Sequence, residues 1–189
     1  MPIYTIIAGV NGVGKSSFTG VLKNQRHDLG HIIDADLLAV EYGGALAGGR
    51  AALRMQEDCL ARRVSFTQET TLSGQRTIQI IRRAKELGYT VRLYYIGVSS
   101  AEESLSRIAN RVRKGGHNIP EIDVRRRFAE RCQTLARVLD DCDEVSFFDN
   151  ENGFAEVGAY KNGEIIRYGS YYPAWLSELE QWMKENQTV

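Results

Sequence analysis

The chain has 189 residues, enough for one domain with a core of its own, and the 43% that are hydrophobic give the ordinary balance of a globular protein. Its 24 Lys and Arg balance 24 Asp and Glu, which disfavours a nucleic-acid binder driven by bulk positive charge. No apolar run approaches the roughly eighteen residues of a membrane span. Met1-Pro2-Ile3-Tyr4 shows no basic leader, and Cys59, Cys132 and Cys142 form no CxxC pair. The expectation is a cytoplasmic domain without a disulfide framework or zinc site, and with no membrane partner.

Ile3 to Ala8 is a continuous apolar, β-branched run, the pattern of a strand buried on both faces. Glycines follow, and Ser16-Ser17-Phe18 opens a helix reaching about Asn24. His31-Ile32-Ile33 reads as a second strand ending in Asp34-Ala35-Asp36. Leu53, Leu60 and Val64 share a stripe of a helix from Gly49 to Arg63. Ser65 to Gln68 is a third strand, ending in Glu69-Thr70-Thr71. Ile78 and Ile81 place a helix at about 75–87, stopped by Gly88. Tyr89 to Ile96 is rich in β-branched and aromatic residues, a fourth strand. Ser99 with Glu102, and Ser100 with Glu103, match a capping box. The helix they open has Leu105, Ile108 and Val112 as its buried stripe. A second long helix starts near Pro120, with Val124, Phe128, Cys132, Leu135 and Leu139 at spacings of three and four. Val145 to Phe148 is a fifth strand. Asn162-Gly163 suits the two positive φ values of a type I′ hairpin turn, and an amphipathic helix runs from about Pro173 to Lys184. Strands alternating with helices predict a parallel α/β sheet wrapped by helices.

Gly9-Val10-Asn11-Gly12-Val13-Gly14-Lys15-Ser16 satisfies G-x-x-x-x-G-K-[ST] between a buried strand and a helix, the setting the motif requires. Gly9, Asn11, Gly12, Val13, Gly14 and Ser17 are the expected phosphate cradle. Lys15 supplies a cation to the β- and γ-phosphates, and the Ser16 hydroxyl is a Mg²⁺ ligand. ATP and Mg²⁺ are therefore expected.

Ligands of open α/β sheets bind beyond the carboxyl ends of the strands, where this chain carries Asp34, Asp36 and Glu69. If the strand period persists, Asp34 and Asp36 point to one side. Asp36 is then the candidate base and Asp34 a contact to the metal or its water. The competing reading makes Asp36 the N-cap of the next helix. Glu69 and Thr71 are candidates for a polar substrate.

Between Arg107 and Arg137 nine basic residues face three acidic ones, a local charge of +6 in a neutral chain. Two arginine-lined helices joined by Gly115-Gly116 predict a lid that closes on the transferring phosphoryl group. Most of these arginines are expected on a solvated face, with two or three on phosphate. Arg111 and Arg126 are the first candidates, Arg113 and Arg107 the next, and His117 at the turn is a candidate phosphate donor.

The P-loop, Asp34-Ala35-Asp36, Glu69-Thr70-Thr71-Leu72-Ser73 and Arg111-Val-Arg-Lys-Gly-Gly-His-Asn-Ile-Pro120 together resemble the zeta-toxin-like P-loop kinases over about residues 3–150. The resemblance implies a three-layer P-loop NTPase fold with a parallel, about five-stranded sheet. An arginine-rich lid at about 101–140 and a C-terminal hairpin and helix at about 153–186 would complete one domain over 1–189. It implies Mg-ATP and γ-phosphoryl transfer, with the aspartate at Asp36 as base towards a sugar hydroxyl. The glutamate and threonine at Glu69 and Thr71 would contact UDP-N-acetylglucosamine, and an antitoxin protein would be a partner. Where the family's second phosphate arginine is expected, this chain offers His117, and Asn150 lies where such kinases approach adenine. Two other readings stand beside the small-molecule kinase: a nucleotide-dependent regulatory module with little catalysis, and a polynucleotide 5′-kinase. The second would need aromatic stacking platforms, whereas Phe128 is the sole aromatic residue between 107 and 137.

Overall fold

A computed structural model describes residues 1–186. The elements in chain order begin with β1 (Ile3–Ala8), α1 (Lys15–Gln25), β2 (His31–Ile33), α2 (Ala35–Glu41), α3 (Ala45–Arg62), β3 (Phe66–Thr70) and α4 (Arg76–Glu86). They continue with β4 (Thr90–Gly97), α5 (Ala101–Arg113), α6 (Glu121–Ala129), α7 (Arg131–Leu139), β5 (Glu144–Asp149), β6 (Ala155–Lys161), β7 (Glu164–Arg167) and α8 (Ala174–Asn186).

One sheet runs β2-β3-β1-β4-β5-β6-β7. Its first five strands pair in parallel, as the strand–helix alternation predicts. The predicted hairpin extends this same sheet, because β6 pairs antiparallel to β5 and β7 to β6. Asn162 and Gly163 take φ values of 53° and 85° in its turn, both positive as type I′ requires.

The sheet separates two apolar layers. Tyr4, Ile6, Phe66, Leu93 and Phe147 are buried on one face against α3, α4, α7 and α8. Ile7, Tyr94 and Ile96 are buried on the other with Phe18 and Leu22 of α1. The strands buried on both faces thus match the near-continuous apolar runs of the sequence. Among the described residues no helix is long and apolar enough to cross a membrane.

Three expectations about elements are corrected. A short helix, α2, begins at Ala35, so the strand period does not carry from Asp34 to Asp36. The third strand ends at Thr70 instead of Gln68, which puts Glu69 in register with Ile7 of the central strand β1. The helix predicted from Pro120 onward is broken at Glu130 into α6 and α7. The break has a packing reason: Phe128 packs in the layer beside α1, whereas Cys132, Leu135 and Leu139 pack in the opposite layer. A straight helix could not serve both with one stripe.

Candidate active site

A cavity of about 390 Å³ opens at the carboxyl ends of β1, β2 and β3. Its wall includes Asn11, Gly12, Gly14, Lys15, Ser16 and Ser17 of the Gly-rich loop, then Asp34, Asp36, Glu69 and Thr71. Arg107, Arg111 and Arg127 close it from above. Gly9 and Val13 shape the loop from outside the wall: Val13 is fully buried, and its carbonyl accepts from Asn150 Nδ2 at 2.7 Å. Asn150 therefore braces the loop's backbone.

Gly12 has φ +80°, and a Cβ there would stand 2.6 Å from the Ser104 carbonyl of α5. Only glycine lets the loop lie this close to α5. α1 starts on Gly14 with no side-chain cap, so its first backbone N–H groups stay available to an anion. Lys15 Nζ donates to the Gly9 and Val10 carbonyls at 2.9 and 3.2 Å. Burial lowers the Lys15 pKa to about 8, against the opposing fields of Glu69, Asp36 and Asp34.

The three carboxylates hold different positions. Asp34 is buried, and its Oδ1 accepts from the backbone N–H groups of Asp36 and Leu37 at 2.9 and 3.3 Å. Asp34, not Asp36, is thus the N-cap of α2. Its Oδ2 accepts from Ser16 Oγ at 3.4 Å. Glu69 Oε2 accepts from Ser16 Oγ at 2.8 Å and Oε1 from Thr19 Oγ1 at 2.6 Å. Burial raises Glu69 above the ordinary carboxylate range, against the lowering pull of these hydroxyls. Both its oxygens face α1, a placement on the phosphate side of the cavity that sequence reasoning did not assign. Asp36 remains exposed at the cavity, and among the described residues its carboxylate has no hydrogen bond or ion pair.

Ser16, Asp34 and Glu69 make an all-oxygen donor set beside the cradle, which fits a hard cation such as Mg²⁺. No group of three or more His, Cys, Asp or Glu suited to a metal occurs among the described residues. Mg²⁺ typically takes one or two carboxylates and completes its shell with substrate phosphates and water, so the donor set remains adequate.

The arginines of α5 and α6 divide sharply. Arg127 donates to Asn11 Oδ1 at 2.7 Å across 116 residues of chain, and its Nε is buried without a partner among the described residues. Arg107 bonds Glu103 at 2.6 Å and the Asn150 carbonyl. Arg111 donates to the His117 carbonyl at 2.8 Å. Arg126 is turned away: it pairs with Asp123 and Glu130 at 3.2 and 3.1 Å and lies outside the cavity wall. Arg113 turns to Asn110. The cavity wall holds Arg127 in place of the expected Arg126, one residue on and about 100° around the helix. His117 also lies outside the wall: its side chain is exposed, and its backbone oxygen serves to hold Arg111. Thr71 lines the cavity, its hydroxyl 3.0 Å from that of Ser73.

The chain is similar to known proteins in sequence and in fold. An uncharacterized protein of Haemophilus influenzae is 36% identical over 127 residues, covering 64% of this chain and 88% of its own. The fold superposes on a chain of the PezAT chromosomal toxin-antitoxin system of Streptococcus pneumoniae with a TM-score of 0.63 at 16% identity. That match covers 98% of this chain and 85% of the other. The AvrRxo1-ORF1:-ORF2 complex with ATP gives a TM-score of 0.69 at 18% identity, over 95% of this chain and 63% of that chain. The model of the Zeta toxin family matches residues 46–157, most of the chain beyond the Gly-rich loop, and on that match the chain belongs to the Zeta toxin family.

Proposed function

We propose that this protein is an ATP- and Mg²⁺-dependent kinase that transfers the γ-phosphoryl group to a hydroxyl of a small molecule. One observation carries the reading: Asp34 takes the capping role, which leaves the Asp36 carboxylate unengaged in the same cavity as Lys15 and three lid arginines. The acceptor oxygen attacks the γ-phosphorus, the bond to the β,γ-bridging oxygen breaks, and ADP departs with that electron pair. The hydroxyl proton passes to Asp36. Lys15, Arg107, Arg111 and Arg127 stabilise the charge spread over the transferred group. Ser16, Asp34 and Glu69 would hold Mg²⁺, which supplies charge neutralisation on the phosphates when bound.

UDP-N-acetylglucosamine is the first acceptor to test, on the strength of the family motifs, and a neutralising antitoxin is the partner the family suggests. The structural neighbours contain such a toxin-antitoxin system and an ATP complex. The polynucleotide-kinase reading loses support because Phe128 packs against the layer beside α1, under the Arg131 guanidinium at 3.9 Å, and offers no stacking platform.

The test is γ-phosphoryl transfer from labelled ATP to a panel of UDP-N-acetylglucosamine, other sugar nucleotides, sugars, nucleosides and 5′-hydroxyl oligonucleotides. It is run with wild type and with Asp36→Asn. Label on a small acceptor that the substitution abolishes supports the kinase. ATP binding with no acceptor labelled supports the regulatory module instead.

A further inference from the structure

The C-terminal helix α8 is tied to the carboxyl end of β5 by one buried bond. Trp175 and Asp149 are each 3% exposed, and Trp175 Nε1 donates to Asp149 Oδ1 at 2.8 Å. The indole lies so close to Gly97, the last residue of β4, that a Cβ there would collide with it. Asp149 ends β5, and its Oδ2 accepts from the Glu151 backbone N–H at 3.1 Å, which closes a turn around Asn150. The Tyr171 hydroxyl braces the same turn from outside, donating to Glu151 Oε2 at 3.2 Å.

Asn150, at the centre of this turn, engages three separate parts of the molecule. Its backbone N–H donates to the Gly97 carbonyl at 3.2 Å, and its side-chain amide to the Val13 carbonyl of the Gly-rich loop at 2.7 Å. Its own carbonyl accepts from Arg107 of α5, which lines the phosphate cavity. The loop and one of the cavity's arginines are therefore both referred to the position of Asn150. That position follows the turn, and the turn follows the Asp149 carboxylate. A buried carboxylate that loses a donor is costly to leave as it stands, so it moves or admits water, and the turn moves with it. From this chain of bonds we propose that Trp175 and Asp149 are positioning residues for nucleotide binding, acting through Asn150 on the Gly-rich loop and Arg107. The proposal rests on the nucleotide site of the kinase reading and adds α8 to it. Trp175 lies beyond residues 46–157, the span that the family model matches. Because coupling between two sites is reciprocal, bound nucleotide must in turn hold the Trp175 N–H more firmly.

The test uses ADP, which needs neither an acceptor nor phosphoryl transfer. Its affinity is measured by isothermal titration for wild type, Trp175→Phe, Asn150→Ala and the double variant. Trp175→Phe keeps an aromatic ring and removes the N–H, and should weaken ADP about tenfold. The double variant should bind no more weakly than the weaker single variant, since both act on one path. Met183→Ala removes buried packing two turns further along α8 and should leave ADP affinity within about twofold. In ¹⁵N-labelled wild type, hydrogen exchange of the Trp175 indole should slow about tenfold with saturating ADP; Trp182→Phe identifies the signal, as the chain has two tryptophans. Unchanged ADP affinity in Trp175→Phe overturns the proposal, as do additive losses in the double variant or equal weakening by Met183→Ala. An indole exchange rate that ADP does not move, or no ADP binding by the wild type, overturns it even where Trp175→Phe does not fold. Coupling that is present in a protein that phosphorylates nothing would end the kinase reading and leave this proposal standing.

Discussion

The Asp34 carboxylate caps the helix that begins beside it by accepting from the backbone N–H of Asp36 at 2.9 Å, so one aspartate positions the other. The two therefore separate in their effects. Asp34→Ala should lower global stability by about 1 kcal/mol through loss of the N-cap, whereas Asp36→Ala should leave the thermal midpoint nearly unchanged. Asp36→Asn should reduce phosphoryl transfer by about a hundredfold or more, the usual worth of a positioned base, with ATP affinity preserved. Thermal unfolding and isothermal titration of the three variants check this. Full turnover by Asp36→Asn would remove the residue from the mechanism.

Arg126 and Arg127 are neighbours in sequence with opposite surroundings, which makes them a controlled pair. Arg127 reaches Asn11 of the phosphate cradle, while Arg126 is held by Asp123 and Glu130 on the solvent side. Arg127→Ala should cost roughly a hundredfold in kcat, as loss of a preorganised donor to developing charge does elsewhere. Arg126→Ala should stay within about twofold, since exposed ion pairs contribute little. Arg127→Lys should recover only part of the loss, because an ammonium cannot reproduce the planar fork. Steady-state kinetics with the best acceptor of the panel measures all three.

The cradle was legible because its requirements are local: Gly12, Gly14, Lys15 and Ser16 lie within one turn of chain whose geometry the residue types dictate. The excess of arginines in α5 and α6 was legible as composition, but which of them line the cavity was not. That depends on the rotation of α6, and the break at Glu130 that sets it is imposed by Phe128 and Leu135 packing in different layers. Glu69 was recognised as a strand-end carboxylate, yet its bonds to Ser16 and Thr19 span 53 and 50 residues and follow only from the sheet order.

Glu69 joins the Ser16 hydroxyl to the carboxylate side of the cavity, so its removal should be felt through the metal requirement. Glu69→Gln keeps the volume and can still accept from Thr19, but it halves the carboxylate charge available beside Ser16. The Mg²⁺ concentration giving half-maximal activity should rise by about tenfold, in line with the loss of a group that ligates the metal or supports its ligands. Chelation with EDTA should stop transfer in wild type and variant alike, and excess Mg²⁺ should rescue both. An unchanged Mg²⁺ profile would instead assign Glu69 to the acceptor side.

Far from the cavity, Glu180 couples α8 to the edge of the sheet and gives the fold a measurable acid sensitivity. It accepts from Arg167 of β7 at 2.5 Å, from Lys184 at 3.0 Å and from Tyr172 at 3.1 Å. The Arg167 hydrogen bond, with help from Lys184 and Tyr172, lowers its pKa to about 2. In the unfolded chain an ordinary glutamate titrates near 4.3, so between the two values the unfolded state binds more protons. The stabilisation is therefore complete above the unfolded value and is lost as pH falls from there towards 2. The side chain remains 23% exposed, and solvent screening reduces the net contribution to about 1 kcal/mol. Glu180→Gln should destabilise the protein by that amount at pH 7, and urea unfolding of the two proteins should converge as the pH is brought down to about 2. Parallel curves across that window would show that the Arg167 bridge contributes nothing to folding.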